Sequence, residues 1–193
     1  MLENLSKYQI ILASQSPRRR ELLAGLDIDF TVKVLPGLNE TYPEPLMGAN
    51  IPVFLAKQKA EAYLSVMKEN TLLITADTIV WCNNKMYGKP VDRADAKAML
   101  RVLSDNMHTV FTGVCLQSVQ KQVVFSVATD VLFAKLSDEE IDYYIDKYHP
   151  MDKAGSYGVQ EWIGYVAVKQ INGSFYNVMG LPVQRLYAEL KRW

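Results

Sequence analysis

Short apolar runs of strand-like character alternate along this chain with stretches of helical periodicity. Residues 8–13 form an apolar, β-rich run that predicts a buried first strand, and it leads directly into a helix from Pro17 to about Leu26, marked by Ser16 as N-cap and Pro17 as first helical residue. Residues 30–35 alternate as a second strand, and Pro36-Gly37-Leu38-Asn39-Glu40 then opens a loop lasting to about Asn50. Residues 51–68 return apolar side chains at helical spacing with few breakers, which predicts a long amphipathic helix. A long strand follows at 72–82 with Asn83-Asn84 as a turn after it, then a helix at 94–103 capped by Asp92. Strands at 109–118 and 123–134 read as a hairpin, and Ser137-Asp138-Glu139-Glu140 is a capping box opening a helix to Tyr148. A glycine-containing loop at 150–160, a strand at 165–171 and a closing helix at 181–193 complete the pattern. Alternating strands and helices interrupted by a hairpin predict an α/β fold, a mixed twisted sheet flanked by helices in one domain over residues 1–193.

Composition narrows the possible partners. Lys plus Arg equal Asp plus Glu at 21 each, so the net charge is zero and the basic excess of a protein living on long nucleic acid is missing. No segment approaches the roughly 20 apolar residues needed to cross a bilayer, so no membrane partner is expected. The N-terminal apolar run is too short for a secretory signal, and Cys82 and Cys115 stand alone in apolar surroundings. Both features read as a cytoplasmic protein with buried free thiols. His108 and His149 make no zinc-ligand spacing with those cysteines.

Within this frame, a few residues carry chemistry. Arg18, Arg19 and Arg20 crowd a helix start that already bears about half a positive charge, where each exposed cation is disfavoured by roughly 0.3–1 kcal/mol. Such a cluster either receives an anion such as phosphate or is simply solvated. Arg18 and Arg19 precede Leu22 and Leu23 by one helical repeat and share the buried side of the helix, whereas Arg20 turns away. Asp77 lies in an apolar strand that reads as buried on both faces, so its carboxylate must be paired with a lysine or arginine, neutralised, or used as a general base or metal ligand in a cleft. Lys59 reads as a solvated helix lysine and Lys89, in Gly88-Lys89-Pro90, as an exposed turn lysine. No phosphate-binding P-loop motif occurs. The run Asp152-Lys153-Ala154-Gly155-Ser156-Tyr157-Gly158-Val159-Gln160 joins an acid and a base to glycines, either as a tight connection or as a ligand clamp.

Six segments in order, from residue 8 to residue 182, resemble the Maf family of nucleoside-triphosphate pyrophosphatases. They are Ser14-x-Ser16-Pro17-Arg18-Arg19-x-Glu21-Leu22-Leu23, Ala76-Asp77-Thr78-Ile79-Val80, Gly88-Lys89-Pro90, Thr112-Gly113-Val114, the Asp152 to Gln160 run, and Gly180-Leu181-Pro182. The resemblance implies a fold like that of the inosine-triphosphate pyrophosphatases, with two lobes around a cleft, and a homodimer. It implies hydrolysis of a nucleoside triphosphate to the monophosphate and pyrophosphate with a divalent cation, Mg²⁺ or Mn²⁺. Asp77 would be the catalytic carboxylate, as base or metal ligand, and Glu40 with Asp77 the metal carboxylates. Ser14, Arg18, Arg19, Lys59 and Lys89 would meet the triphosphate. Arg18, Thr78 and Gln160 match the subfamily pattern linked to dTTP and UTP, whereas a subfamily acting on 7-methyl-GTP carries Trp, Gln and Glu there. Modified pyrimidine nucleotides are further expected targets. A glutamine suits uracil or thymine, whose carbonyls flank an N–H. The chain departs from the family pattern at Glu161, where glycine is usual. The alternative reading is a non-catalytic nucleotide-binding regulator linked to cell division.

Overall fold

The structure is a computed structural model that describes residues 2–38 and 41–193. Glu40, the expected metal carboxylate, lies outside the described residues. The first strand β1 (Gln9–Leu12) and helix α1 (Pro17–Ala24) form where the sequence places them, and the Ser16 hydroxyl accepts the Arg19 amide at 3.4 Å as N-cap. Strand β2 spans only Thr31–Val32, both exposed and paired in parallel with β1, shorter than the expected 30–35. Helix α2 (Asn50–Glu61) stops well short of residue 68. Buried Tyr63 explains the stop. Its hydroxyl donates to the Lys33 carbonyl at 2.8 Å and accepts the Leu35 amide at 2.9 Å, drawing the chain out of the helix into a tight turn at Leu64–Val66.

Strand β3 (Thr71–Cys82) folds back into β4 (Lys85–Tyr87), a strand the sequence pattern did not reveal. Asn83 and Asn84 both take left-handed backbone at φ 50° and 59°, the conformation of a two-residue hairpin turn. Next come α3 (Arg93–Leu103), β5 (Met107–Gln117), β6 (Gln122–Phe133) and α4 (Asp138–Tyr148), the last with its predicted capping box formed. The predicted strand at 165–171 is corrected: α5 occupies Trp162–Ala167 and β7 begins at Val168, ending at Asn172. Ile163 and Ala167, one helical repeat apart, are fully buried while Tyr165 between them is 85% exposed, a helical rather than alternating pattern of burial. Two short helices, α6 (Phe175–Met179) and α7 (Val183–Lys191), close the chain.

The strands form one seven-stranded mixed sheet in the order β2-β1-β3-β5-β6-β7, with β4 paired to β3. β1 runs parallel to β2 and β3, while β4 and β7 run antiparallel to β3 and β6. The chain divides into two compact units. The first comprises Met1–Asp77, Thr112–Val127 and Gly180–Trp193, and the second Thr78–Phe111 and Ala128–Met179. In the first unit Ala13, Ala56, Ala60, Tyr63, Leu73 and Cys115 pack α2 onto the sheet. In the second, α3 and α4 pack through Leu100, Leu103, Ile141 and Tyr144 against Val110, Val131 and Phe133. No helix among the described residues is long and apolar enough to cross a membrane.

Candidate active site

The first unit brings Asp77 and Lys59 together through the seating of α2 on the sheet. Gly113 of β5 lies so close beneath α2 that a Cβ there would overlap the Pro52 carbonyl, which lets the helix settle directly on the strands. The Thr75 hydroxyl then donates to the Ala56 carbonyl at 2.6 Å, pinning β3 to α2. Asp77 follows Thr75 on the same strand face, and Lys59 follows Ala56 on the same helix face. The two periodicities meet with Lys59 Nζ 2.6 Å from Asp77 Oδ1, their side chains only 11% and 13% exposed. The pairing left open for Asp77 is thus realised, and the reading of Lys59 as a solvated helix lysine is corrected. Helical spacing gives the direction of a side chain but not what lies opposite it.

Around the start of α1, Arg19 occupies a fixed position. Its Nε donates to the Gly180 carbonyl at 2.8 Å, and its Nη1 donates to the Ala76 carbonyl at 2.8 Å and to Ser14 Oγ at 3.4 Å. Ser14 is buried and its hydroxyl also accepts the Ser16 amide at 3.2 Å. Arg19 therefore ties three of the sequence motifs together, and it holds the residue immediately before Asp77. Arg18 is half-buried and Arg20 exposed, as the helical spacing requires.

The second unit holds Thr78, Lys89 and Gln160. Thr78 is half-buried and follows Asp77 on β3; Lys89 is exposed after β4. Its loop is tied down where the Gly155 amide donates to the Gly88 carbonyl at 3.0 Å. Gly155 has φ +67°, and a Cβ there would press on Val80 at 2.8 Å. Gln160 lines a cavity of about 270 Å³ together with Val159, Gly164, Tyr165 and Phe175. Its amide oxygen Oε1 is buried without a hydrogen-bond partner. An unmet buried acceptor of this kind costs roughly 1–3 kcal/mol.

The loop that carries Gln160 is braced from below. The Tyr144 hydroxyl of α4 accepts the Gly158 amide at 3.0 Å and donates to Glu161 Oε2. Lys153 Nζ lies 3.1 Å from Glu161 Oε1 and 2.9 Å from Asp152 Oδ1. Burial, reinforced by the Glu161 carboxylate, pushes the Tyr144 hydroxyl above the ordinary tyrosine range, so it stays a donor. Tyr144, Tyr165 and Phe175 are the participants that sequence reading missed. Tyr144 stands 17 positions from Glu161, and no local periodicity links them.

Among the described residues no three histidine, cysteine or acidic side chains cluster as a ready-made metal cage. Asp77 supplies a single hard oxygen donor, which suits a Mg²⁺ ion held by one or two carboxylates together with substrate phosphates and water.

Residues 9–193 match the family model described as Maf-like protein. The chain is 61% identical over 193 residues to the dTTP/UTP pyrophosphatase of Parabacteroides distasonis, covering 100% of both chains. It is 60% identical over 192 residues to the dTTP/UTP pyrophosphatase of Bacteroides thetaiotaomicron, again covering 100% of both. A solved HAM1 protein from Coxiella burnetii shares the fold with a TM-score of 0.52 at 15% identity, covering 96% of this chain and 100% of that one.

Proposed function

The chain belongs to the Maf-like family, and from that premise we propose that it is a nucleoside triphosphate pyrophosphatase hydrolysing dTTP and UTP to the monophosphate and pyrophosphate. The observation that carries the reading is the Lys59–Asp77 pair, a largely buried carboxylate whose Oδ1 is held at 2.6 Å by a lysine. With Oδ1 so anchored, Oδ2 takes the proton of a water that attacks the α-phosphorus. A bond forms from that water oxygen to phosphorus, the bond to the bridging oxygen breaks, and pyrophosphate leaves with the electron pair. Positioned bases of this kind contribute roughly 10²–10⁴-fold.

Stabilisation of the transferring phosphoryl group comes from fixed cations, which is where most catalysis of this reaction arises. Arg18 and Lys89 supply charge to the triphosphate directly, and Lys59 lends its charge beside Asp77. Arg19, braced by Ser14, holds the stretch of β3 from which Asp77 projects, with Arg19 also available to phosphate. Gln160, with Thr78 and Arg18, selects the pyrimidine. A divalent cation, Mg²⁺ or Mn²⁺, would be held by Glu40 and the substrate phosphates, with Asp77 as its ligand where it does not serve as the base, and would supply charge neutralisation of the phosphates. The reading includes a homodimer, which light scattering checks, and a cytoplasmic location, consistent with the free, buried Cys82 and Cys115.

The experiment is incubation with individual triphosphates, with and without Mg²⁺ or Mn²⁺, and identification of the phosphate product. Pyrophosphate from dTTP and UTP, metal-dependent and reduced at least about a hundredfold in Asp77→Asn, is the expected outcome. Release of orthophosphate, or tight nucleotide binding without turnover, would sink the proposal; the latter is the behaviour of a regulator.

A further inference from the structure

The Lys59–Asp77 pair also limits what else can sit on Asp77. On the same helix, Lys57 and Glu61 stand 3.9 Å apart with both side chains half exposed, a surface pair that contributes little. Lys59 differs, since its ammonium lies 2.6 Å from Asp77 Oδ1 and the two side chains are only 11% and 13% exposed. Packing fixes the contact. Fully buried Ala56 and Ala60 press α2 to the sheet, the Thr75 hydroxyl holds the Ala56 carbonyl at 2.6 Å, and Gly113 admits the backbone of Pro52. Arg19 brings a further positive charge to the residue before Asp77, its Nη1 donating to the Ala76 carbonyl at 2.8 Å. Among the described residues, no group of three histidine, cysteine or acidic side chains gathers to offset these cations. A buried ion pair adds little net stability over an apolar pair of similar volume, so stability alone does not account for this one.

A carboxylate already neutralised by an ammonium offers little to a second cation. A divalent ion on Asp77 would share the carboxylate with Lys59, and like charges that close repel strongly where water is scarce. We propose that Lys59 is a resident counter-cation that keeps divalent metal off Asp77 until the triphosphate arrives, so that metal enters with the nucleotide rather than before it. Tethered on α2, the ammonium competes for Asp77 without losing translational freedom, which an incoming ion must give up. The phosphates supply the negative charge that lets an ammonium and a divalent cation occupy one site. Metal binding and nucleotide binding are thereby coupled, each strengthening the other. The part played by the triphosphate rests on the nucleotide reading above, whereas the exclusion of metal by Lys59 does not.

The test measures Mn²⁺ held by the protein in equilibrium dialysis, together with the shift Mn²⁺ produces in the melting temperature. Wild type is compared with Lys59→Met, Lys59→Gln, Lys59→Arg and the double variant Lys59→Met with Asp77→Asn, each given Mn²⁺ alone. Wild type also receives Mn²⁺ with the α,β-methylene analogue of UTP, which cannot be cut at the bond proposed to break. Near-UV circular dichroism identifies the variants that have folded. Expected is a gain in Mn²⁺ affinity of at least about tenfold in Lys59→Met and Lys59→Gln over wild type, with a rise in their melting temperature that wild type does not show. Lys59→Arg keeps the charge and behaves as wild type, and the double variant loses the gain with its carboxylate. Wild type holds Mn²⁺ at least about tenfold more tightly once the analogue is present. Folded Lys59→Met and Lys59→Gln proteins with wild-type Mn²⁺ affinity overturn the proposal, as does a gain that survives Asp77→Asn. Should neither uncharged variant fold, wild type alone decides, and Mn²⁺ held as tightly without the analogue as with it overturns the proposal. An Asp77-dependent gain in the variants, beside a wild type that turns over no triphosphate, overturns the nucleotide reading and leaves the exclusion of metal by Lys59 standing.

Discussion

Asp77 and Lys59 show how much one charged pair depends on its surroundings. They lie 18 positions apart, on β3 and α2, and meet at 2.6 Å with little solvent between them. Breaking a buried pair by removing one partner costs about 3–5 kcal/mol, because the other charge is left stranded. Lys59→Met is therefore expected to lower the unfolding free energy measured in urea by that order and to abolish turnover, with the stability loss reversed when Asp77→Asn is added. His108 provides a second residue-scale expectation. Its Nε2 meets the Tyr157 hydroxyl at 2.7 Å, and burial, outweighing the nearby Asp130 charge, lowers its pKa to about 4. The unfolded chain takes up that proton near pH 6.5 and the folded one does not. Stability is thus fullest above pH 6.5 and declines by on the order of 3 kcal/mol as the pH falls to 4. Urea unfolding at pH 7.5 and 5 checks this, with a flatter dependence in His108→Gln. The sequence made Asp77 conspicuous as a carboxylate in an apolar run, but the fate of Lys59 was illegible, since its own helix says nothing of the strand facing it.

At the scale of elements, close approach decides where chemistry goes. Seating α2 on β5 requires a glycine at 113, because a Cβ would collide with the backbone of Pro52 rather than with a yielding side chain. Gly113→Ala should shift α2, break the Thr75–Ala56 hydrogen bond and part Lys59 from Asp77. A stability loss of about 1–3 kcal/mol with a larger loss of kcat than of nucleotide binding is the expected result, read by urea unfolding and steady-state kinetics. The same logic explains which elements the sequence revealed. Helices α1, α3 and α4 carry their own caps at Ser16, Asp92 and Ser137, so their starts were visible locally. α5 carries no side-chain cap, and its apolar residues also suited a strand until the buried positions Ile163 and Ala167 separated the two. Strand β4 is only Lys85–Tyr87 and owes its existence to pairing with β3.

On the scale of the whole molecule, the first unit is assembled from three stretches distant in sequence, the last of them Gly180–Trp193. That stretch supplies the carbonyl taken by Arg19, the fully buried Leu186 and Leu190, and the carbonyl of Leu190 to which Asn4 Nδ2 donates at 2.8 Å. A chain ending at residue 179 should lose the fold of the first unit, seen as reduced helical circular dichroism and aggregation on gel filtration, whereas removing only the exposed Arg192 and the half-buried Trp193, which packs on Tyr8, should be milder. By itself the sequence determined the α/β class, most helix starts, and the identity of the residues worth watching. Those features are local: caps, periodicity and the oddity of a charge among apolar neighbours all act within a few residues. Tertiary structure alone decided that Lys59 faces Asp77, that Arg19 joins the Gly180, Ala76 and Ser14 positions, and that Gln160 is left with an unmet oxygen beside a cavity. Each of these depends on which distant backbone or side chain arrives opposite a given group, and burial gives such encounters their energy.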